Sequence, residues 1–255
     1  MKEKLQEIEK KITTRFAGRK IYYYPSLPST MDTAREKALK KEIEGTVVVA
    51  GCQTGGRGRK SRPWCSPDGN LFVSIICYPD EAWVAELVMC GALAVLETIK
   101  ALDVKNAGIK WPNDVLIGGK KVSGILVESR IMAGAINYGI VGIGINVNAE
   151  IGNLEKMVIP PTSLAAEIGK QVNLAELFEC LISNFDLFYS RLKDGRSLLE
   201  QWKNELVTLG QKVTVEKDSS FKGVACGVNA SGNLILRLES GEEIVVTAGD
   251  VWHSE

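Results

Sequence analysis

Apolar positions change period several times along the chain, and each change marks a predicted element. Leu5, Ile8, Ile12 and Phe16 recur every three or four residues, so the charged opening segment reads as a short amphipathic helix. A strand over 20–24 follows. The loop PSLPST then supplies Ser29 or Thr30 as the N-cap of a helix running to Leu39, before Gly45 and a strand over 46–52. Next come a strand over 71–78, an apolar helix over 82–102, and strand-like runs around Ile109, around Val115 and over 122–128. Gly118 and Gly119 mark a hairpin between the last two. Residues 136–147, β-branched and punctuated by glycine, predict a long strand with close backbone neighbours.

Helical periodicity dominates 163–206, with Leu174, Leu177, Phe178, Leu181, Phe185 and Phe188 on one face. Beyond Gly210 the texture becomes short alternating runs, KVTVEK, FKGVACGV, NLILRL and EEIVVT, divided by the turn signals SGN and ESGEE. These predict a small β-barrel or meander, too small to stand comfortably alone and therefore docked on the rest. The expected division is a main domain over 1–209 and a C-terminal one over 210–255.

Composition narrows the function classes. Lysine plus arginine equals aspartate plus glutamate at 31 each, so no global field draws the 255-residue chain to nucleic acid or to an anionic membrane. Any anion binding must be local. The six cysteines, Cys52, Cys65, Cys77, Cys90, Cys180 and Cys226, lack a C-x-x-C pair and read as reduced residues of a cytoplasmic protein. With one histidine, His253, close to the end, a zinc site is disfavoured. The N-terminus lacks the apolar core of a signal peptide, and Glu86 and Glu97 mark the longest apolar stretch as a buried helix rather than a membrane span.

Local chemistry concentrates where a strand ends. Residues 55–64 read GGRGRKSRPW, with Arg57, Arg59, Lys60 and Arg62 set among glycine and small residues. Glycine lets backbone approach a ligand, and arginine presents planar donor forks that match carboxylate and phosphate oxygens. The pattern suits a movable anion clamp, and equally a solvated basic loop. Three other segments stand at strand ends or turns: KWPNDV at 110–115, KKVSGILVES at 120–129 and GIGINVN at 142–148. Taken singly, Asn113 and Asp114 also read as turn formers, Lys120 and Lys121 as edge charges, and the glycine strand as core packing closed by Asn146. GIGIN is no dinucleotide fingerprint, because Val147 stands where the third glycine would fall.

Together the segments form an ordered set that resembles the biotin protein ligases. The family loop G-R-G-R-x-G-R-x-W is matched over 56–64, followed by S-P-x-G at 66–69, K-W-P-N-D, K-x-x-G-I-L-x-E and G-x-G-I-N. Ser29, Thr30 and Gln53 also fit. Two positions depart: Ser61 replaces a common glycine, which stiffens the loop, and Met31 replaces a common asparagine. Only a short helix precedes the catalytic region where many bacterial members carry a winged helix-turn-helix domain, so a DNA-binding repressor is not expected.

The resemblance implies an α+β fold: a mixed, mostly antiparallel sheet with flanking helices, class II synthetase-like, plus a C-terminal SH3-like β-barrel. It implies two steps, in which ATP converts biotin to biotinyl-AMP and a lysine of a biotin carboxyl carrier protein then takes the biotin. Catalysis falls to Arg57, Arg59 and Lys121; Asp114, from its place beside Asn113 in the Lys110 turn rather than from the resemblance, is expected to orient or deprotonate the incoming amine. Biotin falls to Ser29, Thr30, Gln53, Arg57, Gly58, Arg59 and Lys121. ATP falls to Arg57, Arg59, Trp64, Lys110, Asn113, Lys121 and Asn146, with Trp64 covering the adenine and Mg²⁺ accompanying the triphosphate but no metal-binding residue assigned. The glycine-rich loop is expected to order over its ligands. Homodimerisation is common in the family, and strand 136–147 offers an edge for it. Two rivals are weighed: a lipoate or octanoate ligase, which does not usually carry this loop with K-W-P-N-D, and a nucleic-acid-binding protein, which zero net charge disfavours.

Overall fold

Seven strands build the sheet that carries the site. The computed structural model describes residues 1–132, 135–149, 159–216 and 220–253. Strands β1 (Ile21–Leu27), β2 (Val47–Gln53), β3 (Leu71–Cys77), β4 (Ala107–Lys110), β5 (Asp114–Ile117), β6 (Lys120–Met132) and β7 (Ala135–Ile145) lie in the order β1-β2-β3-β7-β6-β5-β4. Only β1 and β2 run parallel; the other neighbours are antiparallel. Gly118 and Gly119, both at positive φ, turn β5 into β6 as their composition predicts.

Helices α1 (Lys2–Lys11), α2 (Thr30–Leu39), α3 (Leu87–Lys100), α4 (Leu164–Ile168), α5 (Leu174–Lys193) and α6 (Leu199–Asn204) accompany this sheet. One apolar cluster joins α3, α5 and the strands, while a second, around Met31, Ala34, Phe72 and Ile140, packs α2 against the sheet. The first cluster continues into the C-terminal sheet through Val213, Val215, Ala225, Leu234 and Leu236. That sheet is antiparallel, with β8 (Lys212–Glu216), β9 (Ser220–Val228), β10 (Leu234–Leu238), β11 (Glu243–Val246) and β12 (Asp250–His253) in the order β11-β10-β9-β8-β12. Trp111 fastens it to the main sheet, its Nε1 donating to the Gly232 carbonyl at 2.9 Å.

Several expectations require correction. The strand expected over 20–24 continues through Pro25 to Leu27, which the sheet tolerates because β1 is an edge strand. The first helix stops at Lys11, so Ile12 and Phe16 lie outside it, and Phe16 meets Tyr189 edge-on at 5.5 Å instead. The helix expected over 82–102 starts at Leu87; before it, the Glu86 carboxylate leaves the helix axis to accept from Ser197 Oγ and Leu198 N. β12, an unpredicted strand, pairs with β8. The long strand β7 is no edge: β3 occupies one side and β6 the other, so it offers no ladder to a second copy.

Candidate active site

Glycines make the floor. Gly124 on β6 and Gly142 and Gly144 on β7 line a cavity of about 470 Å³, walled by the start of α2, the end of β2, the basic loop, the β4–β5 turn and β12. A Cβ at Gly144 would stand 2.7 Å from Trp64 Nε1, and one at Gly142 would stand 2.5 Å from Met31 Sδ. The glycine-punctuated strand therefore accommodates large side chains laid flat on its face. Among the described residues, none offers a hydrogen-bond partner to the buried Trp64 Nε1. Met31 fills apolar space against Gly142.

At one wall Gln53 ends β2 and receives α2. Its Oε1 accepts from Thr30 N at 2.8 Å and Thr30 Oγ1 at 3.1 Å, and its Nε2 donates to Ser66 Oγ at 3.0 Å. Ser29 occupies the N-cap position without capping through its side chain; its Oγ accepts from Arg57 Nη1 at 3.3 Å instead. All three lining residues are thus held before any ligand arrives.

The basic loop is folded as a flap. Arg57 bridges Pro63, Trp64 N donates to Gly56 O at 2.9 Å, and Gly58 N donates to Arg62 O at 2.8 Å. Its tip turns through Lys60 and Ser61, at φ 55 and 56°. Ser61 thus occupies the left-handed region that glycine enters most cheaply. Arg57 is gripped by carboxylates: Nη1 and Nη2 donate to Asp32 at 2.8 and 2.9 Å, and Nη2 donates to Glu128 at 3.1 Å. Arg35 closes the network on Asp32 and Glu128. The hydrogen bond from Arg57 holds the Asp32 carboxyl below its ordinary value.

Arg59 reaches over the cavity. Its Nη1 donates to Asn113 Oδ1 at 3.1 Å and its Nη2 to the Gly249 carbonyl at 3.2 Å, while burial lowers its pKa. Asn113 in turn donates through Nδ2 to Ile125 O at 2.7 Å, tying the β4–β5 turn, which contains a cis Trp111–Pro112 bond, to β6. Lys121 pairs with Asp114 at 2.7 Å and stands 5.2 Å from the Trp64 ring centroid. Lys110 is buried, and burial lowers its pKa to about 8 against the opposing pull of Asp114. Cationic groups thus converge on one end of the cavity, where an anionic ligand would find them partly desolvated.

The structure brings together Ser29, Thr30, Gln53, Arg57, Gly58, Arg59, Trp64, Lys110, Asn113, Asp114 and Lys121. It does not bring Asn146 to the lining: the buried Asn146 amide donates to the Thr162 carbonyl at 3.0 Å, fastening the end of β7 to residues near Pro161. Asp32, Glu128, Gly249 and Asp250 carry no assigned role in the sequence reading. Glu128 closes the K-x-x-G-I-L-x-E motif and was legible as a site residue; the others become visible only when α2 and β12 are placed against the flap.

The Biotin/lipoate A/B protein ligase family profile matches residues 23–146, and the Biotin protein ligase C terminal domain profile matches 208–254. The chain is 32% identical to the bifunctional ligase/repressor BirA of Bacillus subtilis, over 95% of this chain and 77% of that protein. It is 30% identical to the biotin–acetyl-CoA-carboxylase ligase of Paracoccus denitrificans, over 85% of this chain and 95% of that protein. Among solved structures, the Aquifex aeolicus biotin protein ligase in complex with biotin and ATP superposes with a TM-score of 0.78 at 25% identity, covering 92% of this chain and 100% of that one.

Proposed function

The chain belongs to the biotin protein ligase family, and we propose that its cavity holds biotin beside Gln53 and ATP beside Lys110. The enzyme forms biotinyl-AMP and transfers biotin to a lysine of a carboxyl carrier protein. The single observation that carries the site assignment is the convergence of Arg59, Lys110, Lys121 and Asn113 at one end of a cavity whose floor is glycine.

In the first step the biotin carboxylate approaches the α-phosphate of ATP, and two anions repel. Arg59, Lys110 and Lys121 offset that repulsion where charge develops, and the carboxylate oxygen displaces pyrophosphate. Arg57, clamped by Asp32 and Glu128, supplies a positioned guanidinium beside Ser29 rather than a mobile one. Thr30, Gln53 and Ser29, with backbone around Gly58, are assigned to the ureido ring, and Trp64 covers the floor. Magnesium is assigned to the ATP substrate, whose phosphate oxygens suit it. No group of three or more His, Cys, Asp or Glu side chains suited to a metal gathers among the described residues.

In the second step the carrier lysine, with an ordinary pKa near 10.4, must lose a proton before it attacks the anhydride. Asp114 is the proposed orienting or accepting group. Its Oδ1 already holds Lys121 at 2.7 Å, so accepting a second ammonium would loosen that pair. Residues 1–209 are proposed as the catalytic domain and 210–255 as the SH3-like one. The proposed partners are the carrier domain and no nucleic acid; a homodimer would have to use surfaces other than β7. We assign the protein to the cytoplasm, in keeping with its six free thiols.

The test is transfer. Incubated with labelled biotin, ATP and a carrier domain, the enzyme should label the domain at one lysine, and a Lys→Arg carrier should stay unlabelled. Equal labelling of that mutant would refute a lysine-specific transfer.

A further inference from the structure

The flap tip does not end in solvent. Three of its four cations terminate on one dipeptide of the C-terminal sheet: Arg59 on the Gly249 carbonyl at 3.2 Å, Lys60 on Asp250 at 3.0 Å, and Arg62 on the same Asp250 oxygen. The left-handed residues Lys60 and Ser61 reverse the tip between the last two donors, so both reach one carboxylate. Such a turn in non-glycine residues is strained, and it persists only where surrounding contacts compensate.

The acceptor side is equally constrained. Asp250 opens β12, paired with Glu216 of β8, and its side chain is only 14% exposed, against 45% for Lys60 and 57% for Arg62. Gly249 has no room for a side chain, since a Cβ would stand 2.7 Å from Val215 Cγ1. That close approach seats the Gly249–Asp250 step against β8 while its carbonyl and carboxylate face the flap. The carboxylate is thus fixed and the cations are the movable partners. A shared, partly buried acceptor for two donors is the arrangement in which ion pairs contribute measurably.

From this geometry we propose that Asp250 is a positioning residue for the ligation reaction: it latches the flap tip through Lys60 and Arg62, so that Arg59 stays over the nucleotide end and the acyl adenylate is retained until the carrier arrives. The C-terminal sheet thereby closes the site without itself touching the reacting atoms. The inference rests on the proposed biotin and ATP placement.

The experiment measures release of biotinyl-AMP. Wild-type enzyme is loaded with labelled biotin and ATP, separated from free ligand, and chased with unlabelled biotin; Asp250→Asn, Asp250→Glu and the double variant Lys60→Met/Arg62→Met are treated alike. Asp250→Asn should release the adenylate about five- to ten-fold faster and raise KM for ATP more than it lowers kcat, and Asp250→Glu should restore most of the retention. Lys60→Met/Arg62→Met should leak as much, and combining it with Asp250→Asn should add nothing further. Additive effects, or wild-type retention in Asp250→Asn, would overturn the latch. Should Asp250→Asn fail to fold, the double variant, altered only at half-exposed side chains, reads the same contact. Failure of wild-type enzyme to form any adenylate would instead refute the placement on which the inference rests.

Discussion

Arg57 and Asp32 face each other in a two-pronged ion pair, 2.8 and 2.9 Å, between the base of the flap and the first turn of α2. Glu128 of β6 completes the grip on Arg57. A guanidinium so held is oriented before ligand binds, which lowers the entropy lost when ligand arrives.

Asp32→Asn should therefore weaken biotin binding several-fold by releasing Arg57 from one prong, measured by calorimetric titration. The acid dependence follows the same pair. Arg57 lowers the Asp32 pKa, so this carboxylate stabilises the fold above its ordinary value of 3.8 and loses that contribution as pH falls through the lowered one. The Asp32→Asn variant should show a shallower acid unfolding curve than wild type.

Lys110 gives an alkaline signature. Burial holds its pKa at about 8, so its charge is present below that pH and lost above it. The kcat/KM for ATP, which reports the free enzyme, should fall as pH rises through 8, and Lys110→Arg should move the falling limb to higher pH. The stability term has the opposite sign: from pH 8 to 10 the unfolded chain keeps this proton and the native chain has released it, so Lys110 adds stability as pH rises. A pH-independent kcat/KM across that range would remove Lys110 from the nucleotide end.

The glycine floor should not accept a methyl group. Gly144→Ala places a Cβ 2.7 Å from Trp64 Nε1 and 2.8 Å from Cε2, so the indole must move. Overpacking of this kind costs about 1–3 kcal/mol, and biotin affinity should fall about ten-fold or more with little loss of secondary structure. Circular dichroism and titration of the same sample check both halves.

Ser61→Gly should relax the flap tip. At φ 56°, glycine avoids a steric penalty that serine bears, for a gain of about 0.5–1 kcal/mol in flap closure. Hydrogen exchange at Gly58 N–H, which donates to Arg62 O across the flap, should slow accordingly.

Period and punctuation made most elements legible. Alternating runs marked the C-terminal strands and apolar runs bounded by turn residues marked those of the main sheet, and the i, i+3, i+4 face of α5 matched its buried residues from Leu177 to Phe188. Boundaries were less legible, because Glu86 and Pro25 answer to partners distant in sequence, Leu198 in one case and an open sheet edge in the other. The cationic residues of the site announced themselves by spacing. Among their carboxylate partners Glu128 was legible as the close of its motif, whereas Asp32 and Asp250 gain meaning only from tertiary placement, and Asn146 turned inward to the Thr162 carbonyl.

The most direct measurement is ATP–pyrophosphate exchange in the presence of single acids. Exchange should require biotin and should not be supported by lipoate or octanoate, with Arg59→Gly reducing it as the cationic end of the cavity is thinned. Exchange supported equally by lipoate, or none with biotin and MgATP at saturating concentrations, would contradict the central claim that this cavity joins biotin to AMP.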